Sequence, residues 1–297
     1  MLYAIDASIY IFRAWFSIPS TVTGNIGQSV NAAYGFTRFL TEFIEQVANN
    51  NNFYIIAFDQ SLTRSFRNDI YPPYKMNREL PPEELKNQFE LCQRIAEAIG
   101  LNCVASERYE ADDIIGTFTK MAQSQALNTT IVSADKDLAQ LLSDSDELWD
   151  FARNKRYKSQ DIKEKFGVFP NQITDYLGLC GDAVDNIPGV PGVGAKTAAK
   201  LLQHFDDMDQ LFANLGEINQ LNFRGAKSLP KKLDEHESQA RLSKQLATIM
   251  CEVPVNCDLA ACKAKPMDAV SLSMISEELG GRAQGLFERI NNTLNRN

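Results

Sequence analysis

Nine acidic residues have the type and spacing that metal-dependent chemistry requires. Two of them end short apolar runs and seven fall in three tight groups: Asp6 and Asp59; then Glu110, Asp112 and Asp113; Asp135 and Asp137; Asp182 and Asp185. Taken singly, most of them could be helix caps or surface residues. Gathered in one cleft, they would repel one another unless cations were present. Two divalent ions about 3.5–4 Å apart can activate water and stabilise the charge that develops in phosphodiester hydrolysis.

A glycine-rich segment directly follows the last acidic pair. Its residues lead into a helical pattern that begins at about Ala195: Gly189, Gly192, Val193, Gly194 and then Lys196. Such a turn exposes backbone N–H groups beside a helix N-terminus, and that geometry binds phosphate oxygens. An ordinary tight turn before a helix is the alternative for one such loop. Beside metal-binding acids, the segment instead indicates an enzyme that acts on a phosphodiester.

Composition limits the kind of metal site and the cellular setting. The 297-residue chain has only His204 and His236, too few for a histidine metal site or a catalytic relay. Oxygen ligands favour Mg²⁺ or Mn²⁺. The six cysteines lack a C-x-x-C pair, so we expect reduced thiols and a cytoplasmic protein. No apolar run reaches transmembrane length, and the first residues do not resemble a signal peptide.

The net charge of −8 argues at first against nucleic acid, but positive charge is concentrated locally. Three segments are basic: residues 60–80, 153–165 and 224–244. Each could be an ordinary solvated surface. Residues 60–83 also carry prolines and tyrosines and do not look like core. They are either a long mobile surface loop or a segment for single-stranded nucleic acid, through backbone charge and base stacking.

The predicted secondary structure brings the acids together. Strands are predicted at 2–6, 53–59, 129–135 and 148–151, and helices at 31–48, 84–99 and 110–123. This alternation predicts a parallel sheet, and Asp6, Asp59 and Asp135 would meet at the carboxyl ends of its strands. Glu110 can share a metal with Asp112 only if Glu110 lies just before its helix. The second half reads as all helical, with helices near 170–179, 195–204, 225–233, 235–247 and 281–292.

The order of these motifs resembles the bacterial 5′-nuclease family, the 5′→3′ exonuclease domain of DNA polymerase I and its flap endonuclease relatives. The resemblance covers residues 1 to about 250 and rests on Asp6, Asp59 and residues 66–67, 74–78, 110–113, 135–137 and 181–189. Residues 224–227 and 242–249 also look like the helical region of the family. No polymerase module follows residue 297, so we expect a stand-alone relative.

The resemblance implies a PIN-like α/β sheet flanked by helices, a helical arch and an all-α helix-hairpin-helix subdomain. We predict a nuclease core over residues 1–168, including an arch at 60–86, and a helical subdomain over 169–297, with the helix-hairpin-helix at 181–204. All nine acids match metal ligands or their outer shell. The arch would admit a 5′ single strand, and the hairpin would hold the adjoining duplex, where a K⁺ ion is also expected.

The resemblance also assigns roles to individual residues. Lys75 and Arg78 would lie near the scissile phosphate, with Asp6, Asp59, Asp135 and Asp182 as the principal catalytic acids. Residues implied to contact DNA are Arg67, Tyr74, Gly189, Gly192, Val193, Gly194, Lys196, Arg224 and Lys227. The expected substrates are DNA 5′ ends or 5′ flaps, cleaved by a monomer with two Mg²⁺ or Mn²⁺ ions. A PIN-like ribonuclease and a non-catalytic DNA-junction binding protein are the alternatives.

Overall fold

The computed structural model describes residues 1–60, 64–223 and 225–295. Its centre is a sheet of six strands: β1 (Leu2–Asp6), β2 (Phe53–Asp59), β3 (Asn102–Ser106), β4 (Thr129–Val132), β5 (Glu147–Asp150) and β6 (Lys155–Tyr157). The strand order is β3-β2-β1-β4-β5-β6, and every pair is parallel except β5 with β6. All five residues of β1 are buried, so both faces of the sheet are covered, as expected of parallel strands.

Helices cover both faces of the sheet and form the second half of the chain. In the first half they are α1 (Ala7–Ser17), α2 (Asn31–Val47), α3 (Phe66–Ile70), α4 (Glu83–Ala98) and α5 (Ala111–Ser124). In the second half they are α6 (Ser159–Phe166), α7 (Ile173–Cys180), α8 (Ala195–Phe205), α9 (Met208–Ala213), α10 (Leu229–Glu235), α11 (Glu237–Ala247), α12 (Ala269–Glu278) and α13 (Gln284–Leu294).

Alternating side chains of β1 separate two cores. Tyr3 and Ile5 pack with α1, α2 and α4, and with the C-terminal helices α12 and α13. Leu2 and Ala4 pack with α5 and with the helices that follow β6. This period of two is what places one apolar set on each face of a strand. Each face of the sheet therefore has its own core, and both cores join helices of the first and second halves of the chain.

The predicted α/β sheet, flanked by helices and followed by an all-helical second half, is confirmed. The prediction that β4 runs to Asp135 is wrong, because the strand ends at Val132. There the backbone N–H of Ser133 donates to the carbonyl of Trp149, 3.1 Å away, and the chain leaves the sheet in a turn. Asp135 consequently lies in a loop beyond the strand end. Helix α1 and the strands β3 and β6 were not predicted.

The interpretation of residues 60–83 as lying outside the core is wrong in part. Arg67 is 2% exposed and Tyr74 is 4% exposed. Helix α3 is only five residues long, and the chain then turns back toward the carboxyl edge of the sheet before α4 begins. Ion pairs make this burial possible, since the charged head of Arg67 meets the buried Asp113. Residues 61–63 of the predicted arch lie outside the described residues.

Ion pairs fasten the C-terminal helices to the sheet domain. Arg289 of α13 contacts both carboxylate oxygens of Glu45 in α2, at 2.9 and 2.7 Å. Arg94 of α4 pairs with Glu278 of α12 at 2.9 Å. In the part of the chain that the structure describes, no helix is long and apolar enough to cross a membrane.

Candidate active site

The acids at the ends of β1 and β2 are anchored by neighbouring hydroxyl and backbone groups. Asp6 caps α1 and accepts a 3.0 Å hydrogen bond from the hydroxyl of Ser133. Asp59 accepts one from the hydroxyl of Ser8 at 2.7 Å and another from the backbone N–H of Ala111 at 2.8 Å. Segments that follow four strands, β1 to β4, thus meet at these carboxylates at the carboxyl edge of the sheet. Sequence reasoning did not single out Ser8 or Ser133, although Ser133 lies next to the 135–137 motif.

Glu110 immediately precedes the helix that carries Asp112 and Asp113. This is the position from which it can share a metal ion with Asp112. It is the N-cap of α5 and has an extended backbone, with φ −79° and ψ 164°. The next acidic loop, after β4, contains Asp135 and Asp137. The backbone N–H of Asp137 donates to Oδ1 of Asp135 at 2.9 Å. Oδ1 of Asp137 is buried and has no hydrogen-bond partner.

The last acidic pair lies in a closed turn between Asp182 and Ile187. Asp182 and Ile187 exchange two backbone hydrogen bonds, of 2.9 and 2.7 Å. Gly181 enters this turn at φ 71°, and a Cβ atom there would lie 2.5 Å from the carbonyl oxygen of Ile187. Glycine is therefore required at this position. Lys136 donates to Oδ2 of Asp182 at 2.7 Å, so the second acidic loop and the turn are in contact.

Mutual repulsion and burial shape the electrostatics of the cluster. Burial, with the nearby charge of Asp59, raises the pKa of Asp6 to about 7. Burial and the charge of Asp135 raise the pKa of Asp137 to about 8. The pKa of Asp112 is also raised, by burial first and then by the charge of Asp135. Carboxylates that disfavour their own ionisation in this way are stabilised by a bound cation.

Two cationic side chains from the residue 73–78 segment enter the cluster. Lys75 Nζ lies 2.9 Å from Oε1 of Glu110 and 3.6 Å from Oδ2 of Asp185. Arg78 pairs with Oδ1 of the same aspartate. Burial alone would lower the pKa of Lys75, but the neighbouring Glu110, Tyr74 and Asp185 together outweigh it, so the pKa lies well above its usual value. Both residues therefore stay charged beside the acids.

Hydrogen bonds also dock the 73–78 segment onto the Asp182–Ile187 turn. The Asn186 side-chain amide donates to the carbonyl of Pro73 at 2.6 Å, and the backbone N–H of Lys75 donates to the carbonyl of Asp185 at 3.0 Å. Asn77 donates to the carbonyl of Ala183 at 2.9 Å. Sequence reasoning missed both asparagines, since nothing in their spacing relates two segments about a hundred residues apart.

Arg67 and Asp113 form a buried structural pair. The guanidinium contacts both carboxylate oxygens of Asp113, at 2.8 and 2.7 Å, and donates to the carbonyls of Leu246 and Thr248. Asp113 is fully buried and also accepts from the backbone N–H of Met250. All the lone pairs that a metal would use are therefore engaged. In this structure Arg67 and Asp113 face each other, and the DNA contact of Arg67 and the role of Asp113 as a metal ligand or outer-shell residue stay predictions.

Tyr74 is also placed inside the cluster. Its hydroxyl lies 3.1 Å from Oε2 of Glu110 and 3.3 Å from Oδ2 of Asp185. Because the residue is only 4% exposed, a base can stack on its ring only if the segment moves. The structure thus gives Tyr74 a contact with the acids, and the stacking role stays a prediction.

The predicted phosphate-binding hairpin is a tight turn that ends at α8. Gly189 has φ 60°, and a Cβ there would lie 2.3 Å from the backbone nitrogen of Gly181. Gly194 is the N-cap of α8, as expected, and a Cβ there would meet nothing within 4 Å. Val193 is 3% exposed and packs in the core.

Lysines of the other predicted DNA contacts are exposed, and one further lysine lies beside the hairpin. A Cβ on the exposed Gly192 would lie 2.9 Å from Lys232 Nζ, so Lys232, which sequence reasoning left unassigned, lies beside the hairpin. Lys196 and Lys227 are exposed. Arg224 lies outside the described residues. These contacts stay predictions.

The donor set of the cluster fits a hard divalent cation. Every candidate ligand is a carboxylate oxygen, which Mg²⁺ and Mn²⁺ prefer. One buried oxygen, Oδ1 of Asp137, has no partner at all. Within residues 1–60, 64–223 and 225–295, no three acidic, histidine or cysteine side chains are arranged to hold a metal ion as they stand. Lys75, Lys136 and Arg78 engage several of the carboxylates instead.

A PIN-like sheet with acids along its carboxyl edge, joined to a helical subdomain, defines the class of nucleases that the motifs indicated. Residues 1–167 match the 5′-3′ exonuclease N-terminal resolvase-like domain, and residues 168–270 match the 5′-3′ exonuclease C-terminal SAM fold. The chain belongs to the 5′-3′ exonuclease family.

Curated relatives agree with this assignment. DNA polymerase I of Rhizobium leguminosarum is 37% identical over 276 residues, covering 91% of this chain and 26% of the relative. A 5′-3′ exonuclease of Buchnera aphidicola is 35% identical over 252 residues, covering 85% of this chain and 87% of the relative. The chain thus spans about a quarter of the Rhizobium polymerase it matches and most of the Buchnera protein.

Solved structures show the same fold at low sequence identity. The T5 5′-exonuclease with bound zinc ions superposes with a TM-score of 0.65 at 18% identity, covering 100% of this chain and 98% of that chain. The catalytic core of Rad2 in complex with DNA superposes with a TM-score of 0.65 at 14% identity, covering 97% and 92%.

Proposed function

We propose that this protein is a structure-specific 5′ nuclease that hydrolyses DNA phosphodiesters at 5′ ends and 5′ flaps by a two-metal-ion mechanism. The observation that carries the proposal is the convergence of five acidic segments with Lys75 at one edge of the sheet. The structural neighbours support it. One is a T5 5′-exonuclease with bound divalent ions, and another is a Rad2 catalytic core with a DNA substrate.

The carboxylates would hold Mg²⁺ or Mn²⁺. Asp6, Asp59, Glu110, Asp112, Asp135, Asp137, Asp182 and Asp185 are the proposed ligands and their neighbours. When bound, the ions would supply an activated water and would stabilise negative charge on the phosphate. Asp113 would act indirectly. Its pair with Arg67 and its hydrogen bond from the backbone N–H of Glu110 hold the start of α5, and thereby position Glu110.

Lys75 and Arg78 would bind the scissile phosphate after exchanging their carboxylate partners for phosphate oxygens. Both cations already lie at the acid cluster, and the segment that carries them is attached by hydrogen bonds that can reopen. A cation next to a reacting phosphate acts mainly on the transition state. The hairpin before α8 would hold the adjoining duplex through its backbone N–H groups, with Lys196 and Lys227 nearby. The division into a core at 1–168 and a helical subdomain at 169–297, and K⁺ at the hairpin, also belong to this proposal.

Cleavage of a 5′-labelled DNA flap tests the proposal directly. We expect a short product released near the junction with Mg²⁺ or Mn²⁺ and none with EDTA. Asp182→Asn and Asp135→Asn should each lose at least about 100-fold in kcat, because charge stabilisation in the transition state is lost. Asp144→Asn is the matched control, since Asp144 is exposed in the turn before β5, at the opposite edge of the sheet.

The same assay separates the alternatives. An RNA flap cleaved as well as the DNA flap would overturn DNA specificity in favour of a PIN-like ribonuclease. Tight flap binding without cleavage under any metal would indicate a non-catalytic junction-binding protein. Unchanged turnover in both aspartate variants would exclude this cluster as the active site.

A further inference from the structure

The basic segment at residues 153–165 has no part in the site described above. It contains six basic and two acidic residues, a net charge of +4 in a chain whose total is −8. Arg153 and Arg156 are paired with acids of β5. Four exposed lysines form no ion pair among the described residues, and we call them the α6 basic surface: Lys155, Lys158, Lys163 and Lys165.

Aromatic rings hold two of these lysines in place. Lys163 Nζ lies 4.1 Å from the ring centroid of Phe169, and Lys165 Nζ lies 4.4 Å from that of Tyr157. An ammonium group already held over a ring loses less freedom when it binds an anion, so the surface is partly preorganised. Lysines on an edge strand such as β6 can simply prevent strand pairing. That explanation does not extend to Lys163 and Lys165, which lie on a helix.

Helix α6 packs against the two helices that flank the proposed DNA-binding region. Gly167, which ends α6, accepts a 2.7 Å hydrogen bond from Gln203 of α8, the helix that follows the hairpin. Phe166 contacts Tyr176 of α7 with ring centroids 6.4 Å apart, and α7 ends directly before Asp182. The end of α6 therefore packs against α7 and α8, the helices on either side of the Asp182–Ile187 turn and the hairpin.

We propose that the α6 basic surface binds the phosphate backbone of the duplex beyond the hairpin and so lengthens the duplex footprint of the protein. The inference rests on the proposed nuclease function for the identity of the polyanion. Two observations support it: the positive charge of the lysines complements that of phosphate, and α6 packs against α8, the helix that follows the hairpin. Because lysine contacts to phosphate release counterions without reading bases, the contribution is independent of sequence and depends strongly on salt.

Removal of two charges from α6 tests the proposal. The variant Lys163→Gln/Lys165→Gln is compared with Lys120→Gln/Lys265→Gln, which removes the same charge from exposed sites elsewhere. Binding to labelled flaps is measured by fluorescence anisotropy in EDTA at several salt concentrations. One flap has a duplex arm of about 20 base pairs and the other an arm of about 6, too short to reach beyond the hairpin.

On the long arm we expect the α6 variant to bind about 3- to 10-fold more weakly. We also expect its salt dependence, log K against log salt, to be shallower by about 1.8, which is 0.9 for each lost contact. The short arm and the control pair should be unaffected, and Lys163→Arg/Lys165→Arg should bind normally.

A salt dependence equal to that of the control pair would overturn the inference. So would an equal loss on the short arm or on single-stranded DNA alone. Binding is measured in EDTA and does not depend on cleavage. A failure of the cleavage assay would therefore count against the proposed nuclease function, and the binding test of the α6 basic surface would still be valid.

Discussion

Lys136 and Lys75 offset part of the repulsion among the acids. Lys136 pairs with Asp182 at 2.7 Å, and Lys75 pairs with Glu110 at 2.9 Å. Burial alone would raise the pKa of Asp182, but the hydrogen bond and charge of Lys136 outweigh it and lower the pKa. A divalent ion bound by these acids would meet the same two ammonium groups, which are competitors at close range.

Lys136→Gln should therefore strengthen binding of Mn²⁺. Loss of one nearby positive charge is expected to raise the affinity about 5-fold, as measured by titration calorimetry in the absence of DNA. Lys120→Gln is the matched control, because Lys120 pairs with the exposed Glu252 and lies outside the cluster. Weaker binding in Lys136→Gln would instead show that Lys136 positions Asp182 for the metal.

Among the elements, α3, α5 and the C-terminal end of α11 are joined by one guanidinium group. Arg67 lies in α3, and its guanidinium contacts Asp113 in α5 and donates to the carbonyls of Leu246 and Thr248. Asp113 in turn accepts from the backbone N–H of Glu110 at 3.1 Å. The first turn of α5, and with it the acids of that turn, depends on this buried pair.

Arg67→Ala should destabilise the fold by about 3–5 kcal/mol, because it leaves Asp113 buried without its partner. Urea denaturation measures this loss. Arg108→Ala is the control and should cost less than about 1 kcal/mol, because Arg108 and Asp69 form an exposed pair. A variant with normal stability but weakened DNA binding would restore the sequence-based expectation that Arg67 contacts DNA.

Over the whole molecule, charge is separated into an acidic centre and basic surroundings. The net charge is −8, yet the hairpin region and the α6 basic surface present exposed lysines. Acids with raised pKa values make the fold sensitive to pH. Asp6 and Asp137 have pKa values of about 7 and about 8, against the usual value of 3.8. At pH values between the usual pKa and these raised pKa values, the folded protein binds more protons than the unfolded chain. Its stability therefore falls as pH rises through this range.

In EDTA, the Tm should therefore fall by several degrees between about pH 5 and pH 8, at roughly 2–4 °C per kcal/mol for a protein of this size. Mg²⁺ should raise the Tm more at pH 8 than at pH 5, because the acids that bind it are then ionised. Asp137→Asn should flatten the pH dependence in EDTA, and Asp144→Asn should not. A Tm that rises between these pH values would contradict the raised pKa values.

Much of the fold and the composition of the site could be predicted from the sequence. Apolar runs ending in Asp6 and Asp59 predicted two strands of the sheet and the edge where acids meet, because parallel strands share a carboxyl edge. Glu110 was predicted to open its helix and is its N-cap, and the glycine-rich segment was predicted to open α8 and ends at its N-cap Gly194, since capping and turn chemistry are local. Ordered motifs indicated the family.

Only the tertiary structure decided which charged groups face the cluster and which serve the fold. Arg67 and Asp113 read as a DNA contact and a metal ligand, yet they are buried against each other. In the sequence Lys136 is only one residue of the 135–137 motif, whereas in the fold it pairs with Asp182, 46 residues away along the chain. The physical reason is that a charge can be buried only with a partner, and the partner is supplied by a distant segment whose position depends on the packed fold.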